Sequence, residues 1–329
     1  MSSKTSPVSN TLVAILASHD SNLKNHDLGR LLEELHAQDP DKLDNFRFLI
    51  TGGTFDRVIE ASGEAAINSS ARTFFLPRCI RLPKMQDGGA TLLANLIVER
   101  ECSIVWPFLD PQGTHWLSPI NLATLRLADL WRVKRLMNTG SVTEWFEQEA
   151  EIDARRNRRP WPPSWTLKGS KTKLNPRLHK NSHYSINVPN PGKHPSDLGK
   201  MTVALIAHNE MKPRMVEFAV DYERELGLFG KIFTTGTTGR EVETAAESLS
   251  VKIKRFNSGP KGGDIQIATE ILFGKCHVVI FFIDPLNPHP HIEDIRVVLG
   301  AGMTQDRVRM LTNEVQAREW MDRVVRGKI

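Results

Sequence analysis

Twice in this chain a continuous apolar run stops at Asp-Pro: CSIVWPFLDP at Asp110-Pro111 and VVIFFIDP at Asp284-Pro285. The run Val278 to Ile283 fits a strand buried on both faces of a parallel sheet, and open α/β sheets bind ligands at the carboxyl ends of such strands. Asp284 is thereby expected at a ligand-bearing edge. Upstream, SGPKGGD sets Gly262, Gly263 and Asp264 directly before a helical pattern in which Ile267, Ala268, Ile271 and Leu272 share a face. A backbone free to turn and a side chain at a helix entrance suit an anion site. Downstream come His291 and Asp294. Three carboxylates, an imidazole and a glycine turn are expected to converge on one edge of a sheet.

The pattern recurs. VAILASHD mirrors VALIAHNE, and FRFLITGGT mirrors GKIFTTGTTG. Gly89 precedes Asp110 by 21 residues, as Gly263 precedes Asp284, and Cys102 and Cys276 sit at one spacing before their Asp-Pro. Trp145 and Trp320 close the two stretches at nearly the same offset. At 329 residues the chain is long enough for two cores. The expected architecture is α/β, with two tandem doubly wound (Rossmann-like) domains, each a five-stranded parallel sheet flanked by helices. A disordered tail is expected over 1–10, a first copy over 11–150, a basic Pro-rich linker over 151–199 and a second copy over 200–329.

The copies differ where chemistry would sit. Ala90 stands at the position of Asp264, and Lys84-Met85-Gln86 replaces the SGP of the second copy. Asp87 is on the wrong side of the glycines, and His115 comes two places early after Asp110. The first copy is expected to be structural, or to bind a ligand without turning it over.

Composition narrows the class. Forty per cent apolar and 25% charged residues are ordinary for a soluble globular protein. No apolar run approaches the ~20 residues of a membrane span, and MSSKTSPVSN lacks the hydrophobic region of a secretory signal. Cys79, Cys102 and Cys276 have no CxxC spacing and read as reduced core residues of a cytoplasmic protein, not as metal ligands. The net charge of +5 is concentrated: residues 151–200 hold 11 Lys and Arg against 3 Asp and Glu. A nucleic-acid contact there, with Trp161 and Trp165 stacking between arginines, is one reading. A solvated linker is the plainer one and is favoured.

Other side chains join the candidate edge. MTVALIAHN delivers His208 to it, and Lys212 follows on the first turn of the next helix, so both can face one pocket. A lysine there, taken alone, is more often a solvated surface residue. In KIFTTGTTGRE, Thr235, Gly236, Thr237 and Thr238 present hydroxyls and N–H groups that could cradle a phosphate, with Ser258 and Gly259 adding a second hydroxyl and amide. The plainer alternative makes Thr238 an N-cap and Gly236 a turn residue. Asp264 could likewise simply cap a helix over 265–273. His289 and His291 could suggest a metal pair, but Pro290 between them favours an extended turn.

Taken together, AHNEMK, TTGTTG, SGPKGGD, DPLNPHPH with Asp294 after it, and LTNEV occur in an order, over about 201–325, that resembles the methylglyoxal synthase family. The resemblance implies a lyase that converts dihydroxyacetone phosphate to methylglyoxal and phosphate, with no cofactor and no metal. It assigns Asp264 as the general base and His291 as the acid or electrophile. Asp284 and Asp294 orient that histidine, and His208 and Lys212 serve the phosphate and carbonyl region. A small phosphorylated substrate and a homo-oligomer are expected, and no membrane. One departure stands out: where the family has His-Asp, this chain has His208-Asn209, while the first copy keeps His19-Asp20. The competing expectation is a non-catalytic module that binds a phosphorylated ligand, as in the allosteric domain of carbamoyl-phosphate synthetase.

Overall fold

Uninterrupted apolar runs become the central strands because a strand covered on both faces needs no polar side. In the computed structural model, β1 (Ser9–Ala17) and β4 (Ile104–Phe108) contain runs of this kind in the first half, and β2 (Phe46–Ile50) is apolar but for the buried Arg47. β8 (Thr202–Ala207) and β11 (Val278–Phe282) are their counterparts in the second, and all six residues of β8 are buried. The structure describes residues 9–17, 22–60, 66–109, 118–157, 159–160, 184–185, 197–284, 286–287, 291–304 and 308–327. His19, Asp20, Asp110, His115, Trp161, Trp165 and His289 lie outside them, as does most of the expected N-terminal tail.

The chain forms two compact units, 1–188 and 189–329. In the first, β3 (Cys79–Arg81) and β5 (Lys134–Arg135) complete five parallel strands in the order β5-β4-β1-β2-β3. In the second, β9 (Lys231–Thr234), β10 (Ile253–Arg255) and β12 (Arg309–Leu311) give β12-β11-β8-β9-β10, again all parallel. The two orders are the same. Within the stretch read as a linker, Ala150–Arg156 is helical, β6 (Arg159–Pro160) pairs antiparallel with β1, and β7 (Tyr184–Ser185) extends the first sheet beyond β3.

Each core is closed by a tryptophan on a late helix. Trp145 lies edge-on to Phe46 at 5.1 Å and to Trp106 at 5.9 Å, while Trp320 packs on Phe229 at 6.1 Å. The helices that carry them, Thr139–Gln148 and Glu314–Val325, start alike: Asn138 accepts the N–H of Ser141, and Asn313 accepts that of Gln316. Asparagine caps of this kind satisfy a donor the helix itself cannot.

Helix Gly263–Leu272 differs from its sequence pattern. One apolar face was expected, yet Gly263 to Thr269 are all buried, and helix Ile292–Thr304 packs against this helix. Asp264, Gln266 and Thr269 are therefore inside the protein.

Candidate active site

In the second unit the carboxyl ends of β8, β9, β10 and β11 lead into His208, Thr235, Asn257-Ser258 and Asp284. The strand order reverses between β8 and β11, which is where sheets of this class leave a crevice. His208 and Asp284 meet there. The Asp284 N–H donates to Nδ1 of His208 at 2.8 Å, and the His208 N–H donates to the Phe282 carbonyl at 3.1 Å. The ring stands edge-on to Phe281 at 5.1 Å. An imidazole that accepts at Nδ1 carries its proton on Nε2, so the tautomer is set by the backbone. The Asp284 carboxylate fastens its own loop, accepting the Leu286 N–H at 2.9 Å and the Asn287 side-chain amide at 2.5 Å.

The threonine turn opens helix Gly236–Ala245. Thr235 is the N-cap residue, but its hydroxyl makes no capping bond and donates instead to Oγ1 of Thr238 at 3.2 Å. Thr238 thus lies inside the first helical turn, not at the N-cap that its plainer reading assigned. The Gly236 N–H donates to the Asn257 carbonyl at 2.9 Å. The N–H groups of Thr237 and Thr238 sit in the first turn, where the helix offers them no carbonyl four residues earlier. A Cβ on Gly236 would lie 3.0 Å from the Ser258 nitrogen, so the turn and the SGP segment touch.

The second contact is tighter. A Cβ on Gly259 would lie 2.8 Å from Oδ2 of Asp264 and 3.0 Å from Nε2 of His291, and those two atoms are 3.4 Å apart. Asp264 is only 2% exposed. Its helix starts after Gly262, whose φ of 93° is left-handed, and a Cβ on Gly263 would meet the Asn257 carbonyl oxygen at 1.9 Å. Gly262 is the N-cap and Asp264 the second helical residue, so Asp264 does not cap this helix. Asp294 is fully buried in the first turn of helix Ile292–Thr304, its N–H donating to the His291 carbonyl at 3.0 Å.

Thr235, Thr238, Gly236, Ser258, Gly259, Asp264 and His291 therefore form a continuous line of contacts. Lys212 begins helix Lys212–Asp221, and its Nζ donates to Oδ1 of Asn209 at 2.8 Å; the structure joins it to Asn209 rather than to His208. Two residues beside the line had no place in the sequence reading. Asn257 holds Gly236 through its carbonyl, and its N–H donates to Oε1 of the buried Gln266 at 2.9 Å. Among the described residues no group of three or more His, Cys, Asp or Glu could hold a metal ion, and no helix is long and apolar enough to cross a membrane.

Over 120 residues the chain is 43% identical to the methylglyoxal synthase of Brucella anthropi, an alignment spanning 36% of this chain and 93% of that protein. The chain belongs to the methylglyoxal synthase family. The methylglyoxal synthase of Brucella ovis is 42% identical over the same length and shares. The crystal structure of the methylglyoxal synthase from Elizabethkingia anophelis is 31% identical, covering 37% of this chain and 78% of that one with a TM-score of 0.32. No protein-family model matches the chain.

Set against this methylglyoxal synthase-like site, the first unit builds the same turns with other residues. Thr51 Oγ1 donates to Thr54 Oγ1 at 3.4 Å, and Gly88 has φ 90°, beside 93° at Gly262. Ala90 occupies the place of Asp264 and Met85 that of Gly259. In the methylglyoxal synthase-like unit, a Cβ at the glycine would press on the carboxylate; where the carboxylate is gone, a longer side chain stands at the glycine position.

Proposed function

We propose that the second unit is a methylglyoxal synthase-type lyase that converts dihydroxyacetone phosphate to methylglyoxal and phosphate. The observation that carries this reading is the buried 3.4 Å approach of Asp264 and His291 beside Gly259, in contact with a threonine turn able to hold a phosphate. A carboxylate removed from water is a stronger base than a solvated one.

Asp264 takes a proton from the hydroxymethyl carbon next to the ketone. The released electron pair forms a carbon–carbon double bond, and the ketone oxygen becomes an enediolate oxygen that His291 stabilises by donating to it. The hydroxyl proton passes to the departing phosphate as the aldehyde forms. The double bond moves toward the phosphate-bearing carbon, whose C–O bond breaks, and phosphate departs with the electron pair. The enol left behind regains a proton on carbon to become methylglyoxal. Thr235, Thr237 and Thr238, the first-turn N–H groups, and Ser258-Gly259 hold the phosphate throughout. His208 and Lys212 serve the phosphate and carbonyl end. Asp284 anchors the loop that meets His208, and Asp294 supports the turn that carries His291.

In this reading the first unit is a second copy of the same fold without the base, and the chain is a tandem. A specific observation favours a second reading, binding without turnover: Asn209 holds Lys212 as an aspartate would but brings no negative charge to it, which favours retention of an anion. Release of inorganic phosphate from dihydroxyacetone phosphate by the full chain, beside Asp264→Asn, separates the two. Release that depends on Asp264 supports the lyase. Equal rates for both proteins, at background, support the binding module.

A further inference from the structure

Gln266 lies on the helix that carries Asp264, about half a turn further on, and is buried. Its Oε1 accepts the Asn257 N–H at 2.9 Å, while the Asn257 carbonyl accepts the Gly236 N–H at 2.9 Å. One peptide segment is thus gripped from the helix of the base and in turn grips the first residue of the threonine turn. The two hydrogen bonds link the helix of Asp264 to the threonine turn.

The first unit shows that the fold does not need it. Gly52 donates to the Pro83 carbonyl at 3.0 Å, as Gly236 does to Asn257. A Cβ on Gly89 would lie 2.0 Å from the Pro83 oxygen, against 1.9 Å for Gly263 and Asn257. The backbone is the same, but Pro83 has no N–H and the residue in the place of Gln266 is Leu92, which has no acceptor. Donor and acceptor are absent together from the unit that also lacks the carboxylate. A buried N–H must find a partner, and a proline would remove that need altogether. The second unit instead keeps the N–H and commits a glutamine, at the cost of its rotamer freedom.

We infer that Gln266 is a positioning residue, holding Asp264 in register with the phosphate-binding turn through Asn257; this rests on the lyase reading of the same site. The test compares wild type, Gln266→Leu and the double variant Asn257→Pro/Gln266→Leu, which copies a combination that the first unit already folds. Gln266→Leu leaves an N–H unsatisfied and is expected to be less stable. The double variant is expected to regain a wild-type urea midpoint and yet keep a kcat for phosphate release lowered on the order of 10- to 100-fold, with KM moved less, because misplacement by about 1 Å can cost 10²-fold. If the double variant regained both stability and kcat, the role would be structural only and the inference would fall. Affinity for 2-phosphoglycolate, an inert mimic, is measured on the same proteins. Should wild type release no phosphate, the lyase reading falls, and the inference is then judged by affinity: at least a tenfold loss in the double variant upholds it, and unchanged affinity overturns it.

Discussion

The backbone N–H of Asp284 points at Nδ1 of His208 from 2.8 Å, across the crevice where the strand order reverses. The imidazole thereby accepts a backbone N–H at Nδ1, which leaves Nε2 to carry the proton. Replacing His208 by alanine removes that donor and leaves the Asp284 N–H without its acceptor. Removal of one preorganised donor lowers turnover by about 10²–10³-fold, and loss of the buried bond lowers stability by about 1–3 kcal/mol. Phosphate-release kinetics and urea unfolding of His208→Ala check the two effects separately; unchanged kinetics would place His208 outside the site.

Asp264→Asn keeps the shape of the buried side chain but removes the carboxylate proposed as the base. Turnover is expected to fall by at least about 10²–10⁴-fold, the contribution of a positioned general base, while circular dichroism stays that of wild type. Residual activity above a tenth of wild type would assign the base elsewhere.

Gly259→Ala drives a methyl into the carboxylate of Asp264 and the ring of His291. Overpacking of this kind costs about 1–3 kcal/mol. In an Asp264→Ala background the oxygen it meets is gone, so the penalty is expected to shrink. A double-mutant cycle read by urea midpoints tests this, since residues in contact are non-additive. Strict additivity would contradict the contact.

The central strands were legible because β1, β4, β8 and β11 carry continuous apolar runs, and β2 one broken only by Arg47, that stop at turn residues. The edges were not. Lys134–Arg135 and Ile253–Arg255 are short and charged, and they pair on one side only, so neither alternation nor an apolar run marks them. The contacts of the candidate site were legible where a short string carries them, as in Ser258 to Asp264. Gln266 carries no such string. Its signal lay in comparing the halves, where Pro83 and Leu92 replace Asn257 and Gln266 as a pair. Thr238 and Asp264 show the limit of capping rules: sequence places a hydroxyl or carboxylate near a helix start within a residue or two, and only coordinates show which residue is the cap.

Asn209 accepts the Lys212 ammonium at 2.8 Å, so the amide performs the bracing that a carboxylate would. If bracing is the whole role, Asn209→Asp changes kcat by less than about threefold and raises KM by partly neutralising a cation near the phosphate, with the increase fading as salt screens the charges. A gain in kcat of tenfold or more would show that the missing aspartate takes part in proton transfer.

Burial pushes the thiols of Cys102 and Cys276 up from an ordinary 9.0 to about 12, with Glu270 adding to the effect at Cys276. Unfolded, these groups release their protons near pH 9.0; folded, near 12. Between those values the folded chain binds more protons, so their stabilising contribution is whole below pH 9.0 and is lost as pH rises toward 12. Urea midpoints measured across this alkaline window should fall less steeply for Cys102→Ala/Cys276→Ala than for wild type. Parallel slopes would remove the thiols from the account.

The pairing of Gly259 with Asp264, against Met85 with Ala90, bears on any attempt to build the site into the first unit. An acid at position 90 alone would stand in a segment that carries methionine where the second unit keeps a glycine, and a glycine at position 85 alone would bring no acid. Neither change by itself reproduces the contact, so the two would have to be made together.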